Sequence, residues 1–108
     1  MIPKKNIDDL ISKHSNLEKE LSSSNLDKKL FAEKSKEYSD LNEIVYSAKK
    51  YASYKNDKIE LEKILNDKNS DEELMKMAHT ELSELNSQFE KNEKKLKLFL
   101  LRLSYTNT

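Results

Sequence analysis

The stretch Tyr46-Ser47-Ala48-Lys49-Lys50-Tyr51-Ala52-Ser53-Tyr54-Lys55, with Lys58 just beyond it, interleaves aromatic rings with amines and is locally positive. Base stacking on rings combined with phosphate contacts to amines is how many proteins hold RNA. Tyr46, Lys49, Lys50, Tyr54, Lys55 and Lys58 are therefore the candidate RNA or ribosome contacts. The plainer reading is a solvated helix face, with Tyr51 turned into a core and only Tyr46 and Tyr54 pointing outward.

Other reactive side chains point away from catalysis. A zinc site needs several converging ligands, and neither His14 nor His79 belongs to a His-x-x-x-His or Glu-x-x-His pair. His14 falls on an apolar stripe and is read as a packed core residue. The carboxylates, including Glu33 with Glu37 and Glu81 with Glu84, alternate with lysines in the manner of a solvated surface. They show no acid set opposite a base. Asn92 interrupts an apolar seam, where a polar residue fixes helix register at some loss of stability.

The composition narrows the choice further. The chain has 108 residues, no glycine, no cysteine and a single proline, Pro3. Phosphate-cradling loops, dinucleotide fingerprints and nucleophile elbows all need glycine, so none can be built. Without cysteine there is no disulfide, thiol nucleophile or thiolate metal site. No cofactor and no small-molecule substrate are expected, and the chain is not read as an enzyme. Twenty basic and twenty acidic residues cancel, which argues against a wholesale grip on nucleic acid and leaves room only for a local patch. The longest apolar run, Leu98 to Leu101, is too short to cross a bilayer. No apolar segment follows Lys4 and Lys5 to form a secretory signal, so a cytoplasmic location is expected.

Helices must position these groups. The expected fold is all-α: a long, coiled-coil-like helical hairpin with a shorter N-terminal helix packed on it, making a three-helix antiparallel bundle. The expected helices cover about 4–21, 27–66 and 70–102 of one domain spanning 1–103, with 104–108 as a frayed tail. Ile7, Leu10, Ile11, His14, Leu17 and Leu21 form the first stripe. Pro3 suits its first turn, Asn6 offers a second cap, and Ser22 to Asn25 end it. In the second helix Phe31, Tyr38, Leu41, Val45, Ala48, Ala52 and Ile59 hold one face. Leu61 and Ile64 fall off that face, which predicts a kink or a change of partner surface near Asn56-Asp57. Ser70 followed by Asp71, Glu72 and Glu73 reads as the N-cap of the third helix. From Met75 through Ala78, Leu82, Leu85, Phe89, Asn92, Leu96 and Phe99 to Leu103, steps of three and four define a coiled-coil seam. Lys91, Lys94, Lys95, Lys97 and Arg102 crowd what is expected to be the negative end of that helix.

The order of these segments matters. Ser35-Lys36-Glu37-Tyr38-Ser39-Asp40-Leu41, then Asn66-Asp67, Glu73-Leu74-Met75-Lys76-Met77-Ala78 and Glu81-Leu82, and finally Leu96-Lys97-Leu98-Phe99-Leu100-Leu101 occur in this order. Together they resemble the N-terminal helical domain of bacterial class I peptide chain release factors of the release factor 1 kind, over about residues 5–101. The resemblance implies a domain cut off before the codon-reading and Gly-Gly-Gln parts of such a factor. It implies a non-catalytic accessory module that docks on the ribosome, toward the GTPase-associated region of the large subunit. The chain departs from the family pattern at Arg102–Thr108, where a proline and an acidic continuation are usual. The alternative is a stand-alone helical adaptor, or a homodimeric coiled coil using the seam from Met75 to Leu103. Self-association of the isolated chain is compatible with either reading.

Overall fold

The computed structural model describes residues 1–23 and 25–106, and among them it contains four α-helices and no strand. These are α1 (Lys4–Ser22), α2 (Lys28–Asn42), α3 (Val45–Asn66) and α4 (Glu72–Thr106). The all-α class matches the sequence expectation.

Local hydrogen bonds mark several of the helix ends. Pro3 is the N-cap of α1, with φ −59° and ψ 139°, and its carbonyl accepts from the N–H of Asn6 at 3.0 Å. Asn6 itself lies inside the helix. At the other end the Ser22 and Ser23 hydroxyls donate to the carbonyls of Glu18 and Glu20, both at 2.8 Å. Asp27 caps α2 by accepting from Leu30 N–H at 2.8 Å. In the tip loop between α3 and α4, Asp71 rather than Ser70 caps α4, taking the Leu74 N–H at 2.7 Å. Ser70 serves the preceding helix instead, donating to the Ile64 carbonyl at 2.8 Å. No described residue has positive φ, so this loop turns without the left-handed conformation that glycine would supply.

The expected single helix over 27–66 is two helices. Glu43 (φ −68°, ψ −25°) and Ile44 (φ −115°, ψ −17°) form a tight pivot in which the Ile44 N–H reaches back only three residues, to Leu41, at 3.0 Å. The pivot lets Leu41 and Ile44 both enter the core, at 3% and 5% exposure, although the helices on either side have different partners. Helix α2 packs on α1, with a minor contact to the start of α3, whereas α3 lies between α1 and α4. Leu30 and Phe31, far out on α2, are consequently exposed.

The helix runs unbroken through Asn56-Asp57, and its inward stripe does not change phase there. The inward stripe of α3 runs through Ile44, Ala48, Tyr51, Tyr54, Lys58, Leu61 and Leu65, all buried or half-buried, in unbroken steps of three and four. Ala52 and Ile59, expected on the core face, lie outside it. Small or β-branched apolar residues on the outer face had masked a stripe carried partly by tyrosine and lysine stems. The seam of α4 is as expected from Ala78 to Phe99, while Leu103 is exposed. The helix continues through Ser104–Thr106, which were expected to fray; Asn107 and Thr108 lie outside the described residues.

The core gathers where α1, α3, α4 and the end of α2 meet. Ile7, Leu10, Leu17, Leu41, Ile44, Ala48, Leu96 and Phe99 form it, joined by Ile2 ahead of α1. The radius of gyration is 18.4 Å, with extents of 60 × 31 × 19 Å. A compact chain of this length would have a radius near 13 Å, so the molecule is a rod. Its far end is the α3–α4 hairpin alone.

Candidate functional site

Helix α3 positions all six sequence-derived contact residues, and the structure separates them. Tyr46 stands outward at 68% exposure, with Lys50 Nζ 5.7 Å from its ring centroid. Lys49 and Lys55 are exposed as well. Tyr54, expected outward, is instead bound into the hairpin. Its ring stacks on Phe89 at 4.0 Å, and its hydroxyl donates to Asn86 Oδ1 at 2.7 Å. Lys58 is half-buried, with Nζ 5.9 Å from the Tyr54 ring. A stacking platform of two free tyrosines therefore does not exist, and Tyr46 is the one tyrosine of the three that a base could reach.

Tyr51 is a core residue, as its spacing suggested. It stacks on Phe89 at 4.8 Å, accepts the Ile2 N–H at 3.0 Å and donates to Glu93 Oε2 at 3.1 Å. Burial pushes the Tyr51 hydroxyl above its ordinary pKa, with the Glu93 carboxylate adding to the effect. The bond from Tyr51, helped by Lys97, holds Glu93 below the usual carboxylate range. His14 is buried in the manner of a structural histidine. Its Nε2 lies 2.9 Å from Asn42 Oδ1, and its ring stacks on Tyr38 at 4.7 Å. His79 is exposed. Lys13 pairs with Glu37 and Lys34 with Glu20, tying α1 to α2, and Glu20 raises the Lys34 pKa chiefly through that hydrogen bond. Among the described residues no three of His, Asp and Glu converge as a metal site would require.

The hairpin register brings together charges that the linear sequence disperses. Tyr51 and Tyr54 opposite Phe89, Asn86 and Glu93 set Asp57 level with about residue 85. The tip half, residues 57–84, holds nine carboxylates against four lysines, a net of −5. The base half, residues 43–56 and 85–106, holds eight basic residues against three acids, a net of +5. Residues 1–42 balance at eight of each. A neutral chain is thus a hairpin with opposite poles. Lys91, Lys94 and Lys95 of α4 lie on the same pole as Lys49 and Lys50 of α3. Their clustering is not a response to a helix end, because α4 runs on to Thr106 and the helix dipole acts only within the last turn. The sequence showed both lysine groups, but only the register reveals that they share one end. Asn92, in the α4 seam, is 7% exposed and lines the groove between α3 and α4, at the level of Lys50.

The described residues thus form a helical rod with separated charge. The chain belongs to the PCRF domain family, which matches residues 10–107. It is 66% identical over 101 residues to peptide chain release factor 1 of Pelagibacter ubique (strain HTCC1062), covering 94% of this chain and 28% of that protein. Peptide chain release factor 1 of Wolbachia pipientis subsp. Culex pipiens (strain wPip) is 39% identical over 98 residues, covering 89% of the chain and 27% of that relative. A third, from Alkaliphilus oremlandii (strain OhILAs), is 41% identical over 66 residues, 61% of the chain and 18% of the relative. The chain therefore spans between 18% and 28% of the length of these curated relatives. No solved structure matches it. The stand-alone adaptor reading is not favoured by these matches.

Proposed function

We propose that this chain is the N-terminal helical part of a peptide chain release factor and acts in the cytoplasm as its ribosome-docking module, without catalysing a bond change itself. The observation that carries this reading is the 66% identity to a release factor across 94% of the chain. The rod-like build supports it, because a long hairpin can reach a site distant from the rest of a factor. Codon reading and peptidyl-tRNA hydrolysis belong to other parts of such a factor; the catalytic Gly-Gly-Gln motif cannot be formed from a segment with no glycine.

The docking place is the GTPase-associated region of the large ribosomal subunit, and the basic pole supplies the RNA contact. Tyr46, Lys49, Lys50 and Lys55 face solvent there, joined by Lys91, Lys94 and Lys95. Tyr54 and Lys58 contribute through packing of the hairpin. Sedimentation of the purified chain with large subunits tests the reading. Co-sedimentation at low salt, weakening as salt rises, is the expected result. Failure to co-sediment at low salt would overturn it.

A further inference from the structure

Asn92 is an amide in an apolar seam, only 7% exposed, and its side chain has no hydrogen-bond partner among the described residues. Neither of its polar atoms is sealed off, so both reach into the groove between α3 and α4 that Asn92 lines. A largely buried polar group without a partner is costly, and protein interiors almost always supply one. Here the partner has to come from something that enters the groove.

The groove has a volume of 780 Å³ and is lined by α3 and α4 alone. From Tyr46 to Glu60 it follows about 20 Å of α3, the length of roughly four helical turns. Half-buried Leu61 and Leu85 supply its apolar lining. Toward the tip, Asp57, Glu60, Glu81 and Glu84 set four carboxylates against a single amine, Lys50, nearer the base. Asp57 accepts from the Ser53 hydroxyl at 2.9 Å, and Glu60 accepts from Lys63 at 3.3 Å. Glu81 and Glu84 have no polar partner among the described residues. Met77, 56% exposed, shares these two carboxylates in the adjoining depression.

An apolar lining rimmed by carboxylates is complementary to an amphipathic helix with basic flanks. RNA is a poor match, because its phosphates would face the four carboxylates. We propose that the α3–α4 groove docks a basic amphipathic helix of a protein partner, lying along the hairpin as a third strand. Its apolar residues meet Leu61 and Leu85, its lysines or arginines meet Glu81 and Glu84, and one polar residue meets Asn92. A matched polar layer in an apolar seam fixes the register of the docked helix. This goes beyond the RNA contact of the basic pole and does not depend on it.

Fluorescence anisotropy of the whole chain with synthetic stapled helical peptides tests the proposal. The probe carries a row of leucines broken by one asparagine and flanked by lysines. One sister peptide has glutamate for every lysine, and another has leucine for the asparagine. Wild type is expected to bind the probe about tenfold or more tighter than the glutamate sister. Glu81→Lys/Glu84→Lys should weaken probe binding about tenfold or more. Glu62→Lys/Glu90→Lys makes the same charge change at two acids outside the groove and should have little effect. All four acids are exposed, so circular dichroism of both variants should match wild type. Wild type should prefer the asparagine probe to the leucine sister, and Asn92→Leu should reverse that preference. Gln88→Cys places the one thiol of a cysteine-free chain in the groove, and a fluorophore there should respond to the probe. Wild type that does not bind the probe, equal losses in the two charge-reversed variants, or an unaltered preference in Asn92→Leu would each overturn the proposal. So would a label at position 88 that responds to single-stranded RNA or to chain concentration but not to the probe, which would assign the groove to RNA or to a second copy.

Discussion

The Tyr51 hydroxyl donates to Glu93 Oε2 at 3.1 Å while accepting the Ile2 N–H at 3.0 Å, so one oxygen joins α3, α4 and the segment ahead of α1. Ile2 is 7% exposed, buried by a contact that no local periodicity announces. The relay holds the N-terminal residues against the base of the hairpin.

Tyr51→Phe keeps the ring stack on Phe89 but leaves the Ile2 N–H and the Glu93 carboxylate without this oxygen. The expected loss is about 1–2 kcal/mol, the usual consequence of depriving partly buried groups of a partner. Urea unfolding of variant and wild type measures it, and an unchanged midpoint would show that the relay does not stabilise the fold.

The same relay shapes the pH dependence. Glu93 titrates below its ordinary value in the folded chain, so its contribution is present above the unfolded value of about 4.3 and fades as pH falls through the lower folded value. Tyr51 titrates above its ordinary value, so its contribution is present below about pH 10 and fades as pH rises through the higher folded value. Glu93→Gln should flatten the acid limb of a stability-versus-pH curve measured by thermal melting. An acid limb as steep as that of wild type would contradict the assignment.

Leu96 is fully buried where α4 meets the core, whereas Ile59 is 43% exposed on α3. Leu96→Ala is expected to cost about 2–5 kcal/mol through the cavity left behind. Ile59→Ser should stay within about 0.5 kcal/mol. Equal effects in denaturant unfolding would reverse the facing of α3 described above.

His14 Nε2 lies 2.9 Å from Asn42 Oδ1, at the last residue of α2. Asn42→Ala removes the partner of a buried ring and should destabilise the chain by about 1–2 kcal/mol. Hydrogen exchange should show the loss concentrated in α2, which depends mainly on α1 for its packing; uniform protection across all helices would argue against that role.

Much of this fold is legible in the residues. The absence of glycine, the stripe from Ile7 to Leu17 and the alternation from Met75 to Phe99 lead directly to an all-helical hairpin with a helix against it. The pivot at Glu43-Ile44 was hidden because neither residue breaks helices; the bend is set by what each flanking helix packs against. Tyr54 misled because an amphipathic ring is equally at home on a surface or in a seam, and its partners Phe89 and Asn86 are more than thirty residues away. The opposite poles were invisible to a net charge of zero, since they depend on which residues the hairpin sets side by side.

The docking role is tested most directly by titrating labelled chain with purified large ribosomal subunits and following fluorescence anisotropy. The wild-type chain should bind at low salt, and Lys49→Glu/Lys50→Glu, which alters two exposed residues of the basic pole, should bind about tenfold or more weakly. Wild type that fails to bind, or a double variant that binds as tightly, would contradict the account.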